Sequence, residues 1–218
     1  MKFSCEKALL QSMITIASRA VAPKSTIPAL EGVLLEAEQE LNLTGYNLKT
    51  GIRGTISADI AEPGSIVLSA RLFGDIIRRL PDDMVTLSTD DLMVNITCGM
   101  SEFNILGMDP SQFPELPAVE YQNSMILPQR ILHSMITETI FAVSTNDSRP
   151  IHTGELFERN GEGLLTVVAV DGYRLALRRE TTQLNVSETA CQFVIPAPAL
   201  NEVSKICGDT DETVEIVQ

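Results

Sequence analysis

Side chains able to do covalent chemistry are sparse and scattered in this 218-residue chain. His133 and His152 are its two histidines, and Cys5, Cys98, Cys191 and Cys207 stand far apart with no Cys-x-x-Cys pair. Zinc sites draw their ligands at tighter spacing, so the four thiols read as small buried or half-buried side chains in a reducing compartment. No metal and no cofactor is expected. No nucleophile elbow or partnered histidine is evident, so catalysis is not expected either. The stretches that remain, Ser148-Arg-Pro-Ile-His-Thr-Gly154 and Val167-Val-Ala-Val-Asp-Gly-Tyr-Arg-Leu-Ala-Leu-Arg178, suit recognition better than reaction.

The second stretch predicts a β-hairpin. Asp171-Gly172 tolerates positive φ at both central positions of a type I′ turn, and the flanking runs are of strand length. Beyond the turn Tyr173, Leu175 and Leu177 alternate with Arg174, Ala176 and Arg178, giving one apolar and one partly basic face. Asp171 is thereby explained by its turn.

These residues must be carried by a globular scaffold, because 44% hydrophobic and 21% charged residues is the composition of a packed domain. No apolar run approaches the length of a membrane span, and the N-terminus lacks a signal-peptide pattern, which predicts a cytoplasmic protein. The net charge of −13 argues at first against a nucleic-acid partner.

The scaffold is written twice. Leu10-Gln-Ser-Met-Ile-Thr15 recurs as Leu132-His-Ser-Met-Ile-Thr137, and the same offset of 122 pairs Pro28 with Pro150, Gly32 with Gly154, Leu34 with Leu156 and Leu43 with Leu165. With small insertions Tyr46-Asn47 matches Val170-Asp171, Ser69-Ala70 matches Pro196-Ala197, and Val85-Thr-Leu87 matches Val214-Glu-Ile216. Pro110-Ser-Gln-Phe-Pro-Glu-Leu-Pro117, rich in proline, connects the copies, and the boundary is expected near residue 122, giving modules 1–121 and 122–218. Each module should hold two amphipathic helices and several short antiparallel strands, an α+β arrangement. The first helix is expected over Glu6 to Ala20, with Leu10, Met13, Ile14, Ala17 and Val21 inward. The second follows Ser69 as N-cap, with Leu72, Phe73, Ile76, Ile77 and Leu80 on one stripe and Arg71, Arg78 and Arg79 opposite. Pro128 suits the first turn of the third helix, and Pro198 that of the fourth.

Charge sorts by element. Residues 6–20, 70–80, 129–142 and 197–207 hold seven Lys or Arg against four Asp or Glu, net +3, so the remainder carries −16 of the total −13. Mildly basic helices on an acidic protein can face a phosphate backbone while the rest repels it. Any single Arg there is better explained as a solvated residue.

The tandem module, Lys24-Ser-Thr-Ile-Pro-Ala-Leu-Glu-Gly32, Phe113-Pro-Glu-Leu-Pro117, Asp147-Ser-Arg-Pro-Ile-His-Thr-Gly154 and Val170-Asp-Gly-Tyr-Arg-Leu-Ala176 together resemble the bacterial sliding clamps, the β subunits of DNA polymerase III. The resemblance runs from Met1 to Gln218. It implies clamp modules assembled as a homodimer ring of three modules per chain, antiparallel sheets outside and helices lining the hole. Such a ring encircles duplex DNA without reading sequence and confers processivity on the replicative polymerase, with no chemistry of its own. By this resemblance Lys24, Asn146, Arg149, Pro150 and Ile151 lie where the family touches DNA, joined by Arg71, Arg78, Arg79 and Lys205 on the second helices. Arg149, His152, Val170, Gly172, Tyr173, Arg174 and Leu175 correspond to one wall of a cleft that accepts short peptide motifs from polymerases, the clamp loader and repair proteins. A peptide-binding adaptor without a DNA role is the alternative, motivated by the acidic charge.

The chain departs from the family pattern in places. His152 stands where an aliphatic residue is expected, making the cleft wall more polar, and Ala197-Pro198-Ala199 replaces a segment that is often basic. Gln218 aligns with Thr89 of the first copy, which runs on to Pro117, so about 28 residues (117 minus 89) of the second module and all of the third are expected to be missing. A fragment of this kind would leave an unpaired strand edge near Thr213 to Gln218 and would not close a ring.

Overall fold

The computed structural model describes residues 1–119, 124–181 and 190–217, and it divides into two compact units, Met1–Pro117 and Ala118–Gln218. The boundary expected near residue 122 lies outside the described residues, as does Gln218.

The first unit begins with β1 (Lys2–Glu6) and α1 (Lys7–Ala17), continues through β2 (Gly32–Ala37), β3 (Leu41–Tyr46), β4 (Gly51–Ile56), β5 (Asp59–Glu62) and β6 (Gly64–Ser69), and then forms α2 (Ala70–Arg79). It closes with β7 (Met84–Asp90), β8 (Met93–Cys98) and β9 (Ser101–Leu106). Two antiparallel sheets result, ordered β5-β1-β7-β8-β9 and β4-β3-β2-β6, with α1 packed against α2, β3 and β4. The second unit repeats this plan with β10 (Ser124–Pro128), α3 (Gln129–Thr139), β11 (Gly154–Arg159), β12 (Leu164–Val170), β13 (Leu175–Thr181), β14 (Cys191–Pro196), α4 (Ala197–Ile206) and β15 (Thr213–Val217). Its sheets are ordered β13-β12-β11-β14 and β10-β15, and α3 packs beside α4. Both units are α+β, as the alternating short strands predict.

Local sequence explains most of these elements. In α1 the buried residues Leu10, Met13, Ile14 and Ala17 fall at helical spacing, and each large one contributes roughly 1.5–3 kcal/mol when withdrawn from water. The helix is shorter than expected, because Ser18–Ala20 tighten into a 3₁₀ turn. Ser69 caps α2, its hydroxyl accepting from the Leu72 amide at 3.5 Å, and Arg78 and Arg79 suit the negative end of the helix dipole. Leu72 departs from the expected stripe: it is 47% exposed, whereas Phe73, Ile76, Ile77 and Leu80 are buried. One position at the stripe's margin is enough to carry a side chain out of the core. Pro128 ends β10 and precedes α3 instead of occupying its first turn, since its backbone is extended and pairs with Thr213.

Among the described residues the second core buries polar side chains where the first buries apolar ones. At the repeat offset Ala17 and Val33 of the first unit, both fully buried, become Thr139 and Glu155 of the second. Glu155 is also fully buried, and its Oε1 accepts from Thr139 Oγ1 at 2.8 Å. Its other oxygen has no partner among the described residues, and burial raises the carboxyl from 4.5 to about 7 against the opposing Thr139 bond. Cys5 and Cys98 are buried and Cys191 and Cys207 half-buried, as expected, and burial pushes the Cys5 thiol up to about 12.

Candidate nucleic-acid and peptide interfaces

After α3 the chain tightens through Ile140–Ala142 and enters an exposed loop that ends in a second 3₁₀ turn, Pro150–Thr153. The loop is stiffened by its own polar groups. Ser144 donates its amide to the His152 carbonyl at 2.8 Å, the Ser144 hydroxyl accepts from the Asn146 amide at 3.0 Å, and Asn146 Oδ1 accepts from the Ser148 amide at 2.9 Å. Such Asx and Ser turns satisfy backbone donors that no sheet reaches. Gly154 then starts β11 in close contact with β14, where a Cβ would meet the Ile195 carbonyl oxygen at 2.3 Å.

The hairpin forms, but its turn is not the expected one. Val170 and Leu175 are the last cross-strand pair, leaving a four-residue loop in which only Gly172, at φ +93°, is left-handed. Asp171 organises it. Its Oδ1 accepts from the Tyr173 and Arg174 amides at 2.9 and 3.1 Å, and its Oδ2 accepts from Arg174 Nε at 2.7 Å. The Tyr173 amide bond, aided by the Arg174 amide and guanidinium, holds the Asp171 carboxyl below its usual range despite some desolvation. Arg174 also lies over Phe141, 5.8 Å from the ring centroid. The alternation beyond the turn is oriented with the apolar residues outward. Leu175 is 64% and Leu177 44% exposed, while Ala176 is buried and Arg178 half-buried.

Loop and hairpin together enclose a groove of about 590 Å³ lined by Val143, Ser144, Thr145, Asn146, Ser148, Arg149, His152 and Asp171 to Arg174. Of the residues expected at a peptide cleft, Arg149, His152, Gly172, Tyr173 and Arg174 meet here. Val170 and Leu175 stand at the base of the hairpin, outside the lining. Asn146 and Arg149, expected at DNA, share the same groove, and Pro150 and Ile151 are exposed beside it. Ser144 and Phe141 were not singled out by spacing, because their roles depend on contacts across the loop, and Asp171 was expected only as a turn residue, without its bond to Arg174. The groove combines Arg149 and Arg174 with the exposed Tyr173 ring, and the exposed faces of Leu175 and Leu177 continue from it along β13, which suits an extended peptide with apolar anchors.

The expected DNA contacts of the first unit lie on separate elements. Lys24 is exposed in the loop after α1. Arg71 and Arg78 border a groove of about 260 Å³ between α1 and α2, floored by Ile14 and Gly74, whereas Arg79 is exposed outside it. Arg78 is ion-paired with Asp75 at 2.5 Å, and in the second unit Lys205 is paired with Glu202 at 2.6 Å. Each such pair reduces the net charge that the helix offers to phosphate. Among the described residues no cluster of three His, Cys, Asp or Glu could hold a metal ion, and no helix is long and apolar enough to cross a membrane.

Comparison with known proteins is consistent along the whole chain. Residues 1–117 match the family described as DNA polymerase III beta subunit, N-terminal domain, and residues 126–218 match the DNA polymerase III beta subunit, central domain. The beta sliding clamp of Halalkalibacterium halodurans is 36% identical over 228 aligned residues, covering 100% of this chain and 60% of the relative. The beta sliding clamp of Staphylococcus epidermidis is 37% identical, covering 99% and 59%. Among solved structures, the DNA polymerase sliding clamp from Bacillus subtilis superposes with a TM-score of 0.95 at 33% identity over 100% of this chain and 60% of that one. The DNA polymerase III subunit beta from Pseudomonas aeruginosa gives 0.94 at 30% identity, over 100% and 59%. The chain thus spans about 60% of the length of the relatives it matches.

Proposed function

Because the chain belongs to the DNA polymerase III beta subunit family, the sliding clamps, we propose that it works as part of a non-catalytic processivity clamp. In this reading the complete clamp is a homodimer ring that encircles duplex DNA in the cytoplasm and tethers the replicative polymerase, the clamp loader and repair proteins through short peptide motifs. The observation that carries the reading is the groove of the second unit. A common scaffold is built twice, and the second copy alone has Asp-Gly-Tyr-Arg at the hairpin tip facing Arg149 and His152. Arg149, His152, Val170, Gly172, Tyr173, Arg174 and Leu175 form the peptide wall.

Lys24, Arg71, Arg78, Arg79, Asn146, Arg149, Pro150, Ile151 and Lys205 face the DNA in this proposal. Weak contact is appropriate, since a clamp held by topology slides only if phosphate binding does not grip. The ion pairs at Arg78 and Lys205 and the strongly acidic remainder support that requirement. Retention of the full-length protein on closed circular against linear duplex DNA tests the clamp. Stable retention on circles alone is expected. Equal retention on both would refute encirclement, and peptide binding without retention on either would establish the adaptor reading.

A further inference from the structure

The groove that is open in the second unit has a counterpart in the first, and there it is filled. The loop residues Ser144, Arg149 and His152 correspond at the offset of 122 to Ala22, Ile27 and Leu30. The hairpins correspond as well: Tyr46 pairs with Gly51 as Val170 pairs with Leu175. Asn47 Oδ1 accepts from the Lys49 and Thr50 amides at 3.0 and 2.8 Å, as Asp171 does in its own turn, and Leu48 adopts φ +69° where Gly172 adopts +93°. The scaffold is therefore common to both units, while three polar wall residues of the second are apolar in the first.

Phe113 and Leu116 occupy that apolar wall. Phe113 is 7% exposed in a cluster with Leu30, Tyr46 and Val67, against which Ala22, Ile27 and Leu116 pack. Leu116 sits so close to Gly51 that a Cβ there would lie 2.3 Å from its Cδ2. The segment is pinned at its start, where Met108 and Val67 exchange amide-to-carbonyl bonds of 2.8 and 3.2 Å and the Asp109 carboxylate accepts from the Ser111 amide at 2.9 Å. Pro110, Pro114 and Pro117 restrict its backbone, which lowers the entropy cost of holding it extended.

We propose that the first unit carries a second peptide-docking groove, occluded in cis by residues 109–117, whose partner is an extended peptide with an aromatic residue and a leucine three positions later. The occupant itself displays this chemistry. As a tethered ligand it competes at an effective concentration on the order of millimolar, so the groove is closed to weak peptides and opens only to tighter ones. The inference rests on the proposed peptide cleft for its ligand class alone; the packing of Phe113 and Leu116 stands without it.

The test uses a fluorescein-labelled synthetic peptide of residues 109–117 in anisotropy titrations, on proteins that all carry Leu175→Asp to silence the second unit's groove. Phe113→Ala with Leu116→Ala should bind the probe at least about tenfold more tightly than the Leu175→Asp protein. Adding Ile27→Asp, at a half-buried wall position, should abolish the gain. Absence of a gain, or a gain that Ile27→Asp leaves intact, overturns the proposal. Leu116→Ala alone trims a partly buried side chain and keeps the fold if the double variant does not; it should show a smaller gain with the same sensitivity to Ile27→Asp, and no gain in it also overturns the proposal. The second unit's groove is read separately, from the effect of Leu175→Asp alone on a polymerase-tail peptide, so the failure of either reading is distinguishable from that of the other.

Discussion

Arg174 is held at the rim of the second unit's groove by Asp171, whose two carboxylate oxygens accept both the Arg174 amide and its Nε. The turn that shapes the backbone and the cation that faces the groove are thus fixed by one side chain. In the first unit Asn47 makes the backbone bonds of the turn but, as an amide, brings no charge to hold an arginine.

Exchanging Asp171 for Asn should therefore separate the two roles. Asp171→Asn retains the amide-accepting oxygen, as at Asn47, and is expected to leave the hairpin folded while weakening peptide binding by roughly fivefold through a less ordered Arg174. Asp171→Ala should lose both and weaken binding further. Anisotropy with a polymerase-tail peptide, alongside near-native circular dichroism, checks the order of the three proteins.

Leu175 is exposed on an edge strand, so Leu175→Asp removes an apolar face without disturbing the core. If Leu175 anchors the peptide, the substitution in the full-length protein should cost at least tenfold in affinity, the scale of an interface hot spot. Unchanged affinity would remove Leu175 from the binding surface and confine the site to the lined groove.

The basic helix residues should be graded by their ion pairs. Arg71→Ala and Arg79→Ala should each reduce the slope of log affinity against log salt by about 0.9 if each touches a phosphate. Arg78→Ala and Lys205→Ala should change it less, because Asp75 and Glu202 already neutralise those charges. Duplex binding across a salt series measures all four.

Glu155 predicts a pH dependence of stability. Its carboxyl is raised from 4.5 to about 7 in the folded chain, so the native state holds the proton more tightly than the unfolded one. Stability from this group is complete below 4.5, declines as pH rises towards 7, and is lost above it, a difference of up to about 3 kcal/mol. Glu155→Gln, which stays neutral and can still meet Thr139, should flatten that slope. Urea unfolding of both proteins at about pH 5 and about pH 8 gives the comparison.

The features legible in the chain were local or repeated. Helical spacing at Leu10, Met13, Ile14 and Ala17, strand alternation, the Ser69 cap and the offset of 122 all follow from short-range periodicity, and the α+β architecture follows from them. Spacing alone read the hairpin at Gly172 to Arg174 as a turn; it was the family resemblance that pointed to Arg149, His152 and Gly172 to Arg174, and these residues line the groove. The misplacements share a cause. Leu72 lies at the edge of a stripe, where a small rotation decides burial, and the Asp-Gly pair suits several turns between which the length of the β12–β13 ladder decides.

By itself the sequence determined two copies of one module, the elements in each, and the copy that bears the recognition motifs, because pattern and turn chemistry act within a few residues. Only the tertiary structure decided that Leu175 and Leu177 face solvent, that Glu155 is sealed beside Thr139, and that Phe113 and Leu116 return across the first unit to fill the counterpart of the open groove. Those outcomes depend on which surfaces meet after the sheets and helices pack, and no local pattern records which surfaces those will be.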